Sequence, residues 1–426
     1  MKILLVSIGT RGDIEPFLAQ AEILKEEGHH VICQFPEQFR EMVTNLGYDF
    51  FGFDKRFLEM LETQSGKAIM GGGGSGFGQF KGYLNLIRNS FKIQGLIIEQ
   101  QRDILKKLNP DKVIFHAKAL YHYLEAMADP EKFFLLAPIP CMSHPTKEFT
   151  HIGLAKWGPF SEKWNLRTYN IVNYFRYGIM KRYLKKYLDD FPNLTFNTKT
   201  INDFELNKLR TLYTISPSLF PKPSNWPDSS KITGFYFRNQ SKTYTIDLGL
   251  DKWLEKHPKA ILLTFGSMTN PKPRKYSELI LNLLVKHKIP TIVNLSWGGL
   301  EKTEIDSDLL FYVKQIPYDW ILPKIYGMIH HGGSGTTHQA AVNACVQLIV
   351  PHIIDQYFWN RIIIKRKLGP EGVSIHKIKE GNFEEALLRF WTNDQYKSHA
   401  IKLYQQMKSE ANPKELVKYI TQDYFK

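Results

Sequence analysis

Cysteine is nearly absent. The 426 residues hold three, Cys33, Cys141 and Cys345, an odd number at spacings that suit neither a metal site nor a redox pair. That excludes a disulfide scaffold and fits a reducing compartment. Long hydrophobic runs are missing too, so no segment reads as a membrane span. Met1-Lys2-Ile3-Leu4-Leu5-Val6 resembles the start of a signal peptide, but it breaks off at Ser7 to Arg11 without a small-residue cleavage site. It reads instead as a buried first strand, and the chain is expected to stay in the cytoplasm. His, Asp and Glu nowhere cluster at metal-ligand spacing and no Asp-x-Asp is found near the anion motif described below, so a bound metal is not expected. Acidic residues fall short of basic ones, 42 against 56, a formal charge of +14. Such an excess favours nucleotides, nucleic acid or an anionic membrane surface as partners. Nucleic acid is the weakest of these, because zinc-finger spacing, RNA-binding aromatics and basic-region heptads are all lacking.

What is present reads as alternating strands and helices in two halves. The length suggests two domains, and an apolar fraction of 43% with 23% charged residues is ordinary for a globular protein. Residues 2 to 8 form a strand, Gly9-Thr10-Arg11-Gly12-Asp13 a turn, and Ile14 to Glu27 a helix with apolar residues at 14, 17, 18, 21 and 24. Pro16 is expected in its first turn and Gly28 at its C-cap. Strands at 30–35, 48–53, 112–115 and 133–138 alternate with helices at 40–46, 80–107 and 120–127, which argues a parallel sheet. The glycine run 71–78 lacks a preceding strand and a Lys-Ser/Thr closure, so it reads as a surface loop, with a lid over an acceptor as the alternative. The segment 156–186 carries eight basic residues and one acid, Glu162, interleaved with aromatics. Two readings stand for it: a membrane-surface helix, or a solvated helix whose aromatics face their own domain.

A proline-rich crossing precedes the polar stretch 238–245, read as a linker between a domain at 1–237 and a second at 246–411, with a final helix in 412–426 packing back on the first. The α/β class follows: two Rossmann-like domains facing across a cleft, with ligands beyond the carboxyl ends of the strands. In the second domain, His330-His331-Gly332-Gly333-Ser334-Gly335-Thr336-Thr337 joins a strand to a helix. Unpaired amides and the helix dipole there can take a diphosphate without a lysine or arginine. Downstream, Asp355-Gln356 after Pro351 can pair with sugar hydroxyls. Asp13 can serve as a general base toward an acceptor hydroxyl or as a helix N-cap. His116, Lys118, His144 and His151 lie near strand ends of the first domain, where they can line an acceptor cleft, but each reads more simply as a surface or satisfied group.

The segments Gly9 to Pro16, Thr264-Phe265-Gly266-Ser267-Met268, His330 to Thr337, and Pro351 with Asp355-Gln356 resemble the UDP-glycosyltransferase superfamily of GT-B fold. They are most similar to its sterol glucosyltransferases and glycopeptide-antibiotic glycosyltransferases. The resemblance covers nearly the whole chain but is absent between about 60 and 200, where acceptors are bound. It implies that Ser267, His331, Gly333, Gly335 and Thr336 hold the donor diphosphate and that Asp355 and Gln356 hold the sugar. It places Gln339 and Ile316 at the ribose and base; the family has an acid where this chain has Gln339, which weakens ribose recognition. Many relatives carry histidine at the position of Asp13, whereas the sterol and antibiotic branches carry Asp after Gly, as in Gly12-Asp13. The implied activity is an inverting, metal-independent transfer of a hexose, glucose foremost, from UDP- or TDP-sugar to an apolar hydroxylated acceptor. Asp13 and His331 are the implied catalytic pair, no cofactor beyond the donor is implied, and the enzyme is expected in the cytoplasm, peripheral to the inner membrane face. A sugar-nucleotide epimerase and a non-catalytic, membrane-associated nucleotide-sugar binder remain as alternatives.

Overall fold

The apolar runs of the first half line up as one parallel sheet: β1 (Lys2–Val6), β2 (His30–Pro36), β3 (Asp49–Phe53), β4 (Lys112–His116), β5 (Phe133–Ala137), β6 (Arg210–Tyr213) and β7 (Ser230–Ile232). Their spatial order is β3-β2-β1-β4-β5-β6-β7. A second parallel sheet holds β8 (Ile261–Thr264), β9 (Thr291–Asn294), β10 (Leu310–Val313), β11 (Gly327–His330) and β12 (Val346–Ile349), in the order β10-β9-β8-β11-β12. This computed structural model describes residues 1–56, 77–238, 247–268, 270, 272–295 and 299–422. The glycine run at 71–76 and nearly all of the expected linker, 239–245, lie outside the described residues.

Helices of the first half are α1 (Arg11–Glu26), α2 (Arg40–Asn45), α3 (Phe77–Leu108), α4 (Tyr121–Ala128), α5 (Glu162–Leu184) and α6 (Thr198–Asn207). Those that follow are α7 (Leu248–Lys256), α8 (Pro273–Lys286), α9 (Tyr318–Ile321), α10 (Ser334–Ala341), α11 (Asp355–Lys365), α12 (Glu380–Thr392), α13 (Gln395–Met407) and α14 (Pro413–Thr421).

Side chains alternate across a strand, and both faces of each sheet are covered, which is why the strands read as unbroken apolar runs. Ile3 and Leu5 face Ile14, Phe17 and Leu18 of α1, while Leu4 and Val6 join Ile97, Phe115 and Leu124 on the other side. The last described helix, α14, lays Leu416, Val417, Tyr419 and Ile420 into the core on the α1 side.

Each sheet reverses its strand order once, between β1 and β4 in the first and between β8 and β11 in the second. A reversal sends the two flanking loops to opposite faces and opens a crevice at the carboxyl ends of the strands. Val6 pairs in register with Phe115, and Thr264 with His330. The turns after β1, β4, β8 and β11 are therefore the ones brought to the two crevices. Between the sheets, Phe149, Tyr213 and Phe220 of the first half share a buried cluster with Ile349, Phe358 and Trp359 of the second.

Candidate active site

The first crevice holds Asp13. Helix α1 begins three residues earlier than its apolar periodicity predicts, so Thr10 is the N-cap and Asp13 lies in the first turn. This corrects the reading of Asp13 as an N-cap; its carboxylate instead reaches back to accept the Thr10 N–H at 2.8 Å. Pro16 is accordingly inside the helix rather than in its first turn, where it withholds the N–H due to the Gly12 carbonyl. Gly9 has φ +145°, and a Cβ there would lie 2.0 Å from Asp13 Oδ2, so the turn closes over the carboxylate only with glycine.

The other carboxylate oxygen, Oδ1, accepts a hydrogen bond from Lys118 Nζ at 3.0 Å. His116 Nε2 is 3.6 Å away, too far for a hydrogen bond. Burial alone would raise the Asp13 pKa, but the Lys118 and His116 charges and the bonds from Lys118 and Thr10 outweigh it and leave the group below its usual range. Burial pushes His116 down to about 4, so near neutrality that ring is uncharged and Lys118 is the effective cation. Asp13 is thus ionised and fixed by both oxygens. In the sequence Lys118 reads as an ordinary surface group, because its nearness to Asp13 arises only from the pairing of β4 with β1.

The second crevice holds the glycine turn. Gly332 has φ +91°, and a Cβ on Gly333 would stand 2.5 Å from His331 Nε2. The β8 turn approaches from the other side: a Cβ on Gly266 would lie 3.0 Å from His331 Cε1. His331 therefore fills a slot between two glycine turns. Burial first, then repulsion from His330 and His352, keeps its pKa well below the usual value, so the ring is neutral. Its Nδ1 is buried and has no hydrogen-bond partner. A buried ring nitrogen without a partner is costly unless a ligand satisfies it.

Helix α10 starts at Ser334, and the first amide bonded back into the turn is that of Thr337, to Gly333 O at 2.9 Å. The amides of Gly335 and Thr336 precede it, and a Cβ on Gly335 would meet nothing within 4 Å. Ser267 is exposed on the β8 turn. Gln339 carries a buried Oε1 without a partner, an acceptor suited to a ligand hydroxyl. Ile316, by contrast, is only 4% exposed and packs with Ile292, Met328 and Ala340 in the core, so its side chain is not available to a base. Tyr318 was not anticipated: its hydroxyl lies beside the Thr264 and Thr336 side chains and senses Arg11 of the first domain.

At the start of α11 the backbone is strained. Ile354, β-branched, takes φ 33° and ψ −103°. Asp355 follows it, its carboxyl raised to about 7, chiefly by burial, with the Asp13 charge adding to the rise and Lys118 opposing it. The two carboxylates, one from each half, thus feel one another across the cleft. Gln356 is more committed than the sequence suggested. Its Oε1 accepts the His352 and Ile353 amides at 2.7 and 3.0 Å, and its Nε2 points at Met268 Sδ, 3.3 Å away. It ties the corner together and leaves Asp355 as the freer group. Among the described residues no group of three or more His, Cys, Asp or Glu is placed to hold a metal ion.

The halves are joined near this site. Ser334 Oγ donates to Pro138 O at 2.6 Å, and the Ser216 amide donates to His338 Nε2 at 3.0 Å.

Comparison with known proteins finds matches to both halves. The glycosyltransferase family 28 N-terminal domain matches residues 3–118, and the erythromycin biosynthesis protein CIII-like C-terminal domain matches residues 281–422. A sterol 3-beta-glucosyltransferase of Arabidopsis thaliana is 29% identical over 96% of this chain, and one of Yarrowia lipolytica is 28% identical over 96%. The chain spans 66% of the first relative's length and 28% of the second's. The crystal structure of the glycotransferase of kitacinnamycin superposes with a TM-score of 0.70 over 98% of both chains, at 13% identity. The glycosyltransferase SnogD of Streptomyces nogalater does so with a TM-score of 0.63 over 98% of both, at 16% identity. With the twin crevices, the glycine turn around His331 and matches to both halves, the chain belongs to the UDP-glycosyltransferase superfamily of GT-B fold.

Proposed function

We propose that the protein transfers a hexose, glucose foremost, from a UDP- or TDP-sugar to the hydroxyl of an apolar acceptor such as a sterol, with inversion at the anomeric carbon. The observation that supports this reading is geometric: the Thr10 amide and Lys118 fix the Asp13 carboxylate in the first half, and Ser334 at the start of the glycine-turn helix of the second half reaches across to the Pro138 carbonyl. The donor diphosphate rests on the Gly335 and Thr336 amides, with Ser267 and the open Nδ1 of His331 beside it. Asp355 receives sugar hydroxyls, and Gln339 Oε1 the ribose. The acceptor oxygen attacks the anomeric carbon from the Asp13 side and gives its proton to Asp13. The bond from carbon to the diphosphate oxygen breaks, and the charge left on that oxygen is met by the helix start and His331, groups oriented before the reaction begins. Because attack and departure occur on opposite faces, an α-linked donor yields a β-linked product.

Asp13 is a weak base while Lys118 holds it, so transfer requires Lys118 to loosen as donor and acceptor enter. The diphosphate offers this cation an alternative partner. We place the reaction in the cytoplasm at the membrane's inner face, on the strength of three buried free thiols and the outward aromatic face of α5. No described helix is long and apolar enough to cross a membrane.

The test is acceptor-dependent release of nucleoside diphosphate from UDP-glucose or TDP-glucose with a sterol or another apolar alcohol. Release with a glycoside product, unaffected by EDTA, is expected. Conversion of the donor to an isomerised sugar with no acceptor present would assign the site to epimerisation instead.

A further inference from the structure

We propose that the outward face of α5, with the preceding loop 156–160, docks on the surface of a bilayer that contains anionic lipid. The alternative, aromatics turned toward their own domain, holds for Tyr169 and Tyr177, which are buried, and for Tyr183, which is half-buried against the core. The remainder point outward: Trp157 is 63% exposed, Trp164 54%, Tyr174 65% and Phe175 66%. Among the described residues, seven of the thirteen exposed large hydrophobics lie between Trp157 and Ile179, which is a patch and not the usual scatter of single side chains.

The helix cannot roll to bury them. Its inner face is occupied by Asn165, Tyr169, Asn173, Tyr177, Met180 and Leu184. Arg176 also points inward, in an ion pair with the buried Glu205. Asn165 Nδ2 ties the first turn to Lys147 O at 2.8 Å. On the outer side Trp164, Ile171, Phe175 and Ile179 recur at helical spacing and share one stripe. Lys163, Arg167 and Lys181 flank it on exposed positions, and the Arg167 guanidinium lies 4.9 Å from the Trp164 ring centre.

This chemistry selects the occupant. Aromatic rings sit well at the level of lipid headgroups, aliphatic tips enter the acyl boundary, and flanking cations meet anionic headgroups. A nucleic acid would gain nothing from Ile171 and Ile179 at the middle of the stripe. A second copy of the same face would bring its basic flank against an identical one. The loop before α5 also touches the second domain, where Arg361 donates to the Ala155 carbonyl, so the docked face adjoins the cleft. An acceptor dissolved in the bilayer then has a short path inward, although docking itself does not depend on the transfer chemistry.

The experiment is flotation of the purified full chain with vesicles of phosphatidylcholine alone or with added phosphatidylserine. Two variants accompany it: Trp164→Ser with Phe175→Ser, and Lys163→Glu with Arg167→Glu and Lys181→Glu. The wild type is expected to float with anionic vesicles and not with neutral ones. Each variant should lose at least about tenfold in apparent affinity while its thermal midpoint and donor binding stay unchanged. Brominated lipid should quench tryptophan emission in the wild type and less so in the Trp164 variant. The proposal is overturned if the wild type ignores anionic vesicles, or if both variants float undiminished. It is equally overturned if sedimentation velocity finds a wild-type dimer that the Trp164 and Phe175 changes dissolve, since the face is then a protein interface.

Discussion

At Asp13 one carboxylate oxygen holds the turn after β1, through the Thr10 amide, and the other holds Lys118. Structural and chemical roles are therefore separable by mutation. Lys118→Met removes the cation that lowers the Asp13 pKa, so the carboxylate protonates at higher pH. The acid limb of the kcat/KM profile should move upward in pH, and Lys118→Arg should restore most of it. An unmoved limb would mean that Lys118 does not tune the base. His331 is different: its ring is neutral and boxed in by glycines, so His331→Ala should act mainly on the leaving group. Loss of one preorganised partner of this kind costs about 3 kcal/mol, or roughly a hundredfold in kcat, and steady-state kinetics with a saturating donor would read it.

The elements that build the site are helix starts and glycine turns, and these were the parts least exposed to periodic reading. Apolar residues at helical spacing marked α1 from Ile14 on, α10 and α11. Their first turns, Arg11 to Asp13, Ser334-Gly335 and Asp355-Gln356, are polar or glycine and carry no apolar period, which is why α1 begins three residues ahead of its expected start. The glycine turn itself was legible as a strand-to-helix junction, because three glycines in eight residues between two apolar runs mark one. Lys118 and Tyr318 were not, since their meaning depends on which strands are neighbours. Ile316, which the resemblance sets at the base, has its side chain in the core, because a matching position in a family says nothing of how a side chain packs. Gly333→Ala tests the turn directly: a methyl group 2.5 Å from His331 Nε2 must displace the ring. Donor affinity, followed by calorimetry with the nucleoside diphosphate, should fall by about tenfold or more.

Over the whole molecule, charge and buried histidine set the response to pH. His116, His144, His330, His338 and His352 are all pushed down to about 4, and His122 to about 3, chiefly by burial. Their folded values lie below the unfolded value of about 6.5. The stability they contribute is complete above that pH and is lost as pH falls toward the folded values, at up to about 1.4 kcal/mol per pH unit for each ring. Asp355, raised to about 7, works the other way, favouring the fold less as pH rises from the ordinary carboxylate range to 7. The histidines outnumber it, so thermal midpoints should drop steeply between pH 6.5 and 4, and His338→Phe, which also gives up the Ser216 amide, should flatten the slope without raising the midpoint at pH 7.

The central claim is that a carboxylate of one half takes the proton of an acceptor that attacks a sugar donor held by the other. Its most direct measurement compares wild type and Asp13→Asn with UDP-glucose and an apolar alcohol, following nucleoside diphosphate release and the anomeric configuration of the product by NMR. The account predicts a β-linked glycoside from the wild type. For the variant, which keeps an oxygen for the Thr10 amide, it predicts a turnover lowered by about a thousandfold with donor binding retained. Undiminished turnover in Asp13→Asn, or an α-linked product, would contradict it.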